Sequence, residues 1–110
     1  MSAKTLNDQM SAINALVALA EWFGHLPVAR LEITTVVGPL GAFDGIEVSL
    51  HRRLGDFEQW RQALGISPSE IKLKDLTTCM ALKGYAVFEG VVVELTGYGL
   101  PLPTLQAVAA

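Results

Sequence analysis

Three side chains in this sequence have the chemistry of metal ligands or covalent nucleophiles: His25, His51 and the single cysteine, Cys79. Zinc sites often show short spacings such as Cys-x-x-Cys, and a cysteine nucleophile needs a nearby base. The three residues are far apart in the chain and form no such pair. We therefore predict no metal, no cofactor and no covalent catalysis. His25 is expected at a helix exit, His51 on the solvent face of a strand, and Cys79 as a small sheet residue.

Two carboxylates, Asp44 and Glu89, occupy equivalent places in an internal echo that relates residues 43–50 to residues 88–95. Each copy has an aromatic residue, an acid and a glycine before an alternating segment. Paired carboxylates can perform acid–base catalysis, but acids are also common in hairpin turns, where they form local hydrogen bonds. No base, nucleophile or oxyanion donor accompanies this pair in the sequence, so we predict a protein that is not an enzyme.

Each copy of the echo predicts a glycine-containing turn that leads into the outgoing strand of a hairpin. A helical segment with a tryptophan, Trp22 or Trp60, precedes each hairpin, and both tryptophans are expected in the core. In the first hairpin, residues 28–37 alternate as a half-buried strand does, and turn-forming residues follow at 38–45. A second strand is predicted from Ile46 onward.

The first helix is predicted from Thr5 to Phe23. Gly24 is expected as its left-handed cap, and Pro27 prevents continuation. Apolar residues recur at spacings of three and four, which predicts the stripe that faces the core. The stripe consists of Leu6, Met10, Ile13, Val17 and Ala20, and Leu16, Leu19 and Phe23 widen it.

Asp56 is expected to cap a second helix, and Gly65 to end it. Ser67 to Glu70 then predict one further helical turn. The second hairpin has one strand over 73–82, a turn or bulge at Lys83-Gly84-Tyr85, and an outgoing strand from Val91.

Together these elements predict an α+β fold, an αββαββ pseudo-repeat with a four-stranded antiparallel sheet and two main helices packed on one face. Residues 1–99 are expected to form a single α+β domain, and residues 100–110 an apolar C-terminal arm. The arm is uncharged and contains leucines, so it is expected to dock, either on its own subunit or on a neighbour.

The chain has 110 residues, 8 basic and 11 acidic, and a formal charge of −3. An acidic chain is not attracted to nucleic acid by its net charge. Nucleic acid is therefore an unlikely partner, although a small basic patch can be drawn from Arg52, Arg53, Lys72 and Lys74. No segment is long and apolar enough for a membrane span, and the N-terminus lacks the order of a signal peptide, so we expect a cytoplasmic protein.

Charged residues make up 17% of the chain, and the mean hydropathy of +0.39 is high for a small monomer. The excess of apolar residues predicts an interface. We expect a noncatalytic protein-binding module, an adaptor, inhibitor, chaperone or regulatory subunit, acting as a homodimer. It would bind through an exposed sheet face and the arm. The expected binding residues are Cys79, Ala81, Val92, Tyr98, Leu100 and Leu102.

Two alternatives to protein binding stay open. One is a small-molecule-binding protein or enzyme that uses the cavity between the helices and the sheet. The other is a nucleic-acid-associated regulator that uses the basic patch.

Overall fold

The computed structural model describes residues 5–38, 41–51, 53–75 and 80–99. The helices are α1 (Met10–Trp22) and α2 (Leu54–Leu64), and single 3₁₀ turns cover Leu6–Gln9 and Pro68–Glu70. The strands are β1 (Arg30–Gly38), β2 (Gly41–His51), β3 (Lys72–Asp75), β4 (Met80–Phe88) and β5 (Val91–Tyr98). The proposed arm at 100–110 lies outside the described residues, as do Arg52 and Cys79.

The strands form one five-stranded mixed sheet in the order β1-β2-β5-β4-β3. Three of the four strand pairs are antiparallel, but β2 and β5 are parallel. The α+β class is confirmed, whereas the prediction of a four-stranded antiparallel sheet is wrong. The physical reason is the helical crossover. Since α2 returns the chain before β3, the strand β3 runs in the direction of β2, and two further reversals bring β5 alongside β2 in that same direction.

The segment predicted as one strand over 73–82 belongs instead to two strands, β3 and β4, which pair with each other. The turn predicted at Lys83-Gly84-Tyr85 is also wrong, because β4 continues through these residues. Gly84 is needed there for packing. A Cβ atom at this position would lie 2.6 Å from Ile71 Cδ1, so the glycine lets the segment after α2 approach the sheet.

The two copies of the echo become the parallel pair at the centre of the sheet. Ile46 pairs with Val93, and Val48 pairs with Leu95, a register two residues away from the echo itself. Because side chains alternate with a period of two, this shift keeps the apolar residues of both strands on the same face.

The two echoed glycines, Gly45 and Gly90, have different structural roles. Glu89 and Gly90 both have positive φ, 52° and 75°, and connect β4 to β5 in a two-residue turn of the type that matches hairpin twist. The predicted turn in the second copy is thus confirmed. In the first copy it is wrong, because β2 already begins at Gly41 and Gly45 lies inside the strand. A Cβ on Gly45 would lie 2.4 Å from the backbone oxygen of Val92 and 2.9 Å from Val36 Cγ2.

Both helices pack on one face of the sheet, as predicted, and share a single apolar cluster with it. We call this side the helix face. Trp60 is buried and donates a hydrogen bond from Nε1 to the carbonyl oxygen of Pro27 at 2.9 Å. The cluster includes Ala12, Ala15 and Leu19 of α1, Phe57 and Trp60 of α2, and Ile46, Val48, Leu50, Val93 and Leu95 of the central strands.

Local sequence patterns predicted some helix ends correctly and others incorrectly. Gly65 has the left-handed φ of 73° that ends α2, and Ser67 with Glu70 forms the predicted capping box. Gly24 is not a left-handed cap, since the C-cap of α1 is Phe23. Asp56 lies within the first turn of α2, and the preceding cap position is Arg53.

We expect Gly45→Ala to lower the free energy of unfolding by about 2–3 kcal/mol, because its Cβ would collide with a backbone atom of the neighbouring strand. Urea denaturation measures the change. Gly55→Ala is the matched control: nothing lies within 4 Å of its Cβ position, and alanine in α2 is expected to be neutral or stabilising by up to about 1 kcal/mol. Equal stability of the two variants would contradict the close approach of β2 to β5.

Candidate functional site

The outward side of α1 carries an exposed apolar stripe. We define the α1 stripe as Leu6, Met10, Ile13 and Val17, which continue from the 3₁₀ turn into the helix. Leu6 is 69% exposed and Val17 is 55% exposed. These residues were predicted to face the core, and that prediction is wrong. The buried residues of α1 are Ala12, Ala15 and Leu19, and Leu16 and Phe23 pack partly buried against the same core. The predicted core-facing positions of Leu16, Leu19 and Phe23 are therefore confirmed.

The error has a physical cause. α1 is apolar around most of its circumference, so hydrophobic spacing alone does not identify the side that packs. The small side chains of Ala12 and Ala15 allow the helix axis to approach the sheet beside the buried Leu19. Leu6, Met10 and Val17 are left on the outward side. Trp22 is likewise 68% exposed rather than in the core.

The α1 stripe has the spacing of a helix–helix seam. Its members are separated by four, three and four residues, the alternation that keeps apolar side chains facing a partner helix. Polar residues lie on the flank of the same helix, including Asn7, Asn14 and Glu21. Residues 5–23 contain no Lys or Arg.

The sheet face opposite the helices, which we call the outer face, carries a partly buried ion pair. Lys83 Nζ lies 3.0 Å from Glu94 Oε1, and Thr96 Oγ1 donates a hydrogen bond to the same carboxylate oxygen at 3.2 Å. Glu94 is also in register with Glu47 on β2. Lys83 therefore neutralises one member of a pair of neighbouring acids. The sequence pattern did not predict this pair, because residues 83–85 were predicted to form a turn or bulge.

Tyr85 lies on the outer face beside this ion pair. Its hydroxyl donates a hydrogen bond to the backbone oxygen of Val37 on β1 at 3.2 Å, so the side chain reaches across β5 and β2. Burial raises the pKa of Tyr85 above its ordinary value of 10.0, and the negative charge of Glu94 adds to the effect. Burial on its own would lower the pKa of Lys83. The hydrogen bond from Lys83 to Glu94 and the charge of that carboxylate outweigh this effect and raise the pKa above 10.5.

The predicted partner-binding residues do not form one exposed patch in the described part of the chain. Ala81 on β4 is fully buried, and Val92 on β5 is half-buried opposite Val87. Tyr98 stacks on His51, with ring centroids 5.3 Å apart. Cys79, Leu100 and Leu102 lie outside the described residues. A binding role for these residues stays a prediction.

The residues of the predicted basic patch are spread over the sheet. Arg53 precedes α2 and lies 4.0 Å from Asp56, whereas Lys72 and Lys74 are on β3, at the far edge from β1. Two strands separate β2 from β3. Arg52 lies outside the described residues, so the structure brings no more than Lys72 and Lys74 together.

A shallow cleft of about 460 Å³ opens at the end of the first hairpin. Its lining residues come from the starts of β1 and α2 and from the end of β2. The cleft is therefore at a different place from the space between the helices and the sheet. Arg30, Arg53 and Asp56 supply its charged groups, and His51 also lines it.

Asp44 and Glu89 do not occupy equivalent places. Asp44 is within β2, in register with Thr35, whereas Glu89 is in the turn between β4 and β5. Among the described residues, no group of three or more His, Cys, Asp or Glu side chains is arranged to hold a metal ion. No described helix is long and apolar enough to cross a membrane.

Comparison of the chain with protein-family models, with characterised proteins and with solved structures found no match. The function of the chain must therefore be argued from the α1 stripe, the edges of the sheet and the outer face.

We expect Lys83→Met to lower the free energy of unfolding by about 2–3 kcal/mol, because it leaves the Glu94 carboxylate buried without its counter-ion. Lys72→Met is the control, since this lysine is exposed and faces Lys83 across the β3–β4 pair. Its effect should stay within about 0.5 kcal/mol. Denaturation of both variants at neutral pH gives the comparison, and equal effects would show that the ion pair contributes nothing.

Stability should fall at alkaline pH. The raised pKa values of Lys83 and Tyr85 mean that the folded state holds these protons more tightly than the unfolded state does. The resulting stabilisation is complete below the ordinary values and is lost as the pH rises through the raised ones. Urea midpoints at about pH 9 and about pH 11.5 test this. The double variant Lys83→Met, Tyr85→Phe should lose less stability over that interval than the wild type, and an equal loss would assign the effect to other groups.

Proposed function

We propose that this protein is a noncatalytic protein-binding module whose main recognition surface is the α1 stripe. The observation that supports the proposal is the exposure of Leu6, Met10 and Val17 at helix-pairing spacing on an ordered helix. A partner of matching chemistry is an amphipathic helix, which would lay its apolar side along α1.

Burial of the stripe contributes favourable free energy to association. A fully buried apolar side chain of this size contributes about 1.5–3 kcal/mol. Covering Leu6, Met10 and Val17 would therefore yield several kcal/mol before the loss of translational and rotational freedom is subtracted. The balance favours a reversible contact over a permanent one.

The charge pattern favours a protein over a membrane surface. Helices that lie on membranes combine an apolar side with Lys and Arg, which bind anionic headgroups. The charged residues within 5–23 are Asp8 and Glu21, both acidic. Such a helix is repelled by anionic lipid and by nucleic acid alike.

The outer face is consistent with a structural role rather than catalysis. Its most buried charged groups, Lys83 and Glu94, neutralise each other, and Thr96 satisfies the same carboxylate. A catalytic acid or base must exchange a proton near the working pH, whereas the hydrogen bond to Glu94 favours the charged form of Lys83. Tyr85 and Lys83, with their raised pKa values, stay protonated at neutral pH.

The test uses two double variants that differ only in their position around the helix. Met10→Glu with Val17→Glu places two charges in the stripe, and Asn7→Glu with Asn14→Glu places two charges on its polar flank at the same spacing. All four residues are exposed, so both variants should fold, as circular dichroism would verify. We expect proteins captured from the native cell by the wild type to be lost with the stripe variant and kept with the flank variant. Equal capture by both variants would refute the role of α1.

A further inference from the structure

The outer edge of β1 has the features of a pairing strand. β1 is at one end of the sheet, nine residues long, and no described strand pairs with its outward side. Natural edge strands are usually protected by proline, lysine or a bulge. β1 contains no proline or lysine, and its one-to-one register with β2 from Arg30 to Gly38 leaves no room for a bulge.

Exposed apolar side chains mark both ends of this edge. Leu31 is 36% exposed and Val37 is 67% exposed, and both project on the helix face with Ile33 and Thr35 between them. A partner strand that set an apolar residue opposite each of them would remove both from water.

We infer that β1 pairs antiparallel with β1 of a second copy of this chain, about a two-fold axis at Thr34. In this register Leu31 faces the partner's Val37, and Val37 faces the partner's Leu31. The exposed apolar side chains therefore cover each other. All nine residues of the strand are paired, with Arg30 opposite the partner's Gly38. The contact is isologous, as in most homodimers, and joins the two sheets into one continuous sheet.

Charge selects this register over its neighbours. With the axis at Thr34, Glu32 faces the partner's Val36, and the two Glu32 carboxylates are separated by about four residue steps, roughly 13 Å. An axis at Glu32 would place the two carboxylates directly opposite each other, which is destabilising, and would also shorten the paired segment. An axis at Val36 would leave Leu31 unpaired.

The inference deepens the proposed function, since it names one partner of a protein-binding chain, but it uses a different surface from the α1 stripe. The proposed function and the proposed dimer can therefore be refuted independently. Loss of the dimer through β1 variants leaves capture through α1 intact, and charges on α1 leave the dimer intact.

A cysteine cross-link tests the register. In a Cys79→Ser background, Thr34→Cys places two thiols directly opposite each other across the axis, within disulfide reach. Glu32→Cys is the control, because its thiols would be too far apart to bridge. On mild oxidation we expect a covalent dimer for the Thr34 variant and monomer for the Glu32 variant. Equal or preferred cross-linking through residue 32 would overturn the register.

A matched pair of variants tests the edge. Leu31→Lys with Val37→Lys places like charges opposite each other, whereas Leu73→Lys with Val87→Lys makes the same changes at exposed residues of β3 and β4. Light scattering at up to about 100 μM reports the mass, a range in which contacts of micromolar affinity are populated. We expect a dimer for the wild type and the second variant, and a monomer for the first. A monomeric wild type, or a dimer abolished by the second variant instead, would overturn the inference.

Discussion

The close parallel contact between β2 and β5 is the constraint on which the rest of the structure depends. Gly45 permits it, because any larger residue would meet the backbone oxygen of Val92 at 2.4 Å. The contact joins two hairpins that are far apart in sequence into one sheet. It also places Ile46, Val48, Val93 and Leu95 side by side as the floor against which both helices pack. Without it, each hairpin would be a two- or three-stranded unit with too little apolar surface to cover.

The two faces of this sheet have different physical characters. On the central strands β2 and β5, the helix face is filled by apolar side chains with almost no exposure, and the outer face holds a charged pair whose members satisfy each other. Lys83 matters there because Glu94 and Glu47 are neighbours across the parallel strands, so that two acids would otherwise lie together at the centre of the sheet. The surfaces that the sheet does not use internally are the outside of α1 and the edge of β1, and these are the surfaces that we propose for recognition.

The outward side of α1 accounts for part of the apolar excess in the sequence. Ala12 and Ala15 pack beside Leu19 on the buried side of the helix, whereas its larger apolar residues Met10, Val17 and Trp22 stay exposed. The composition correctly predicted that apolar side chains remain exposed, but it did not predict which ones. Exposed large apolar residues lie on and before the first helix, at Leu6, Met10, Val17 and Trp22, and also on strands, at Val37, Leu73 and Val87, whereas the predicted sheet position Ala81 is fully buried.

The sequence by itself determined the features that depend on residues close in the chain. The left-handed end of α2 at Gly65, the capping box of Ser67 and Glu70, the turn at Glu89-Gly90 and the α+β class follow from local hydrogen bonds and from hydrophobic period. Only the tertiary structure decided which side of α1 is buried, that β2 and β5 run parallel, that Gly45 and Gly84 lie inside strands, and that Lys83 meets Glu94. These outcomes depend on steric fit and charge between residues distant in sequence, and a pattern with a period of two or 3.6 is satisfied equally by several such arrangements.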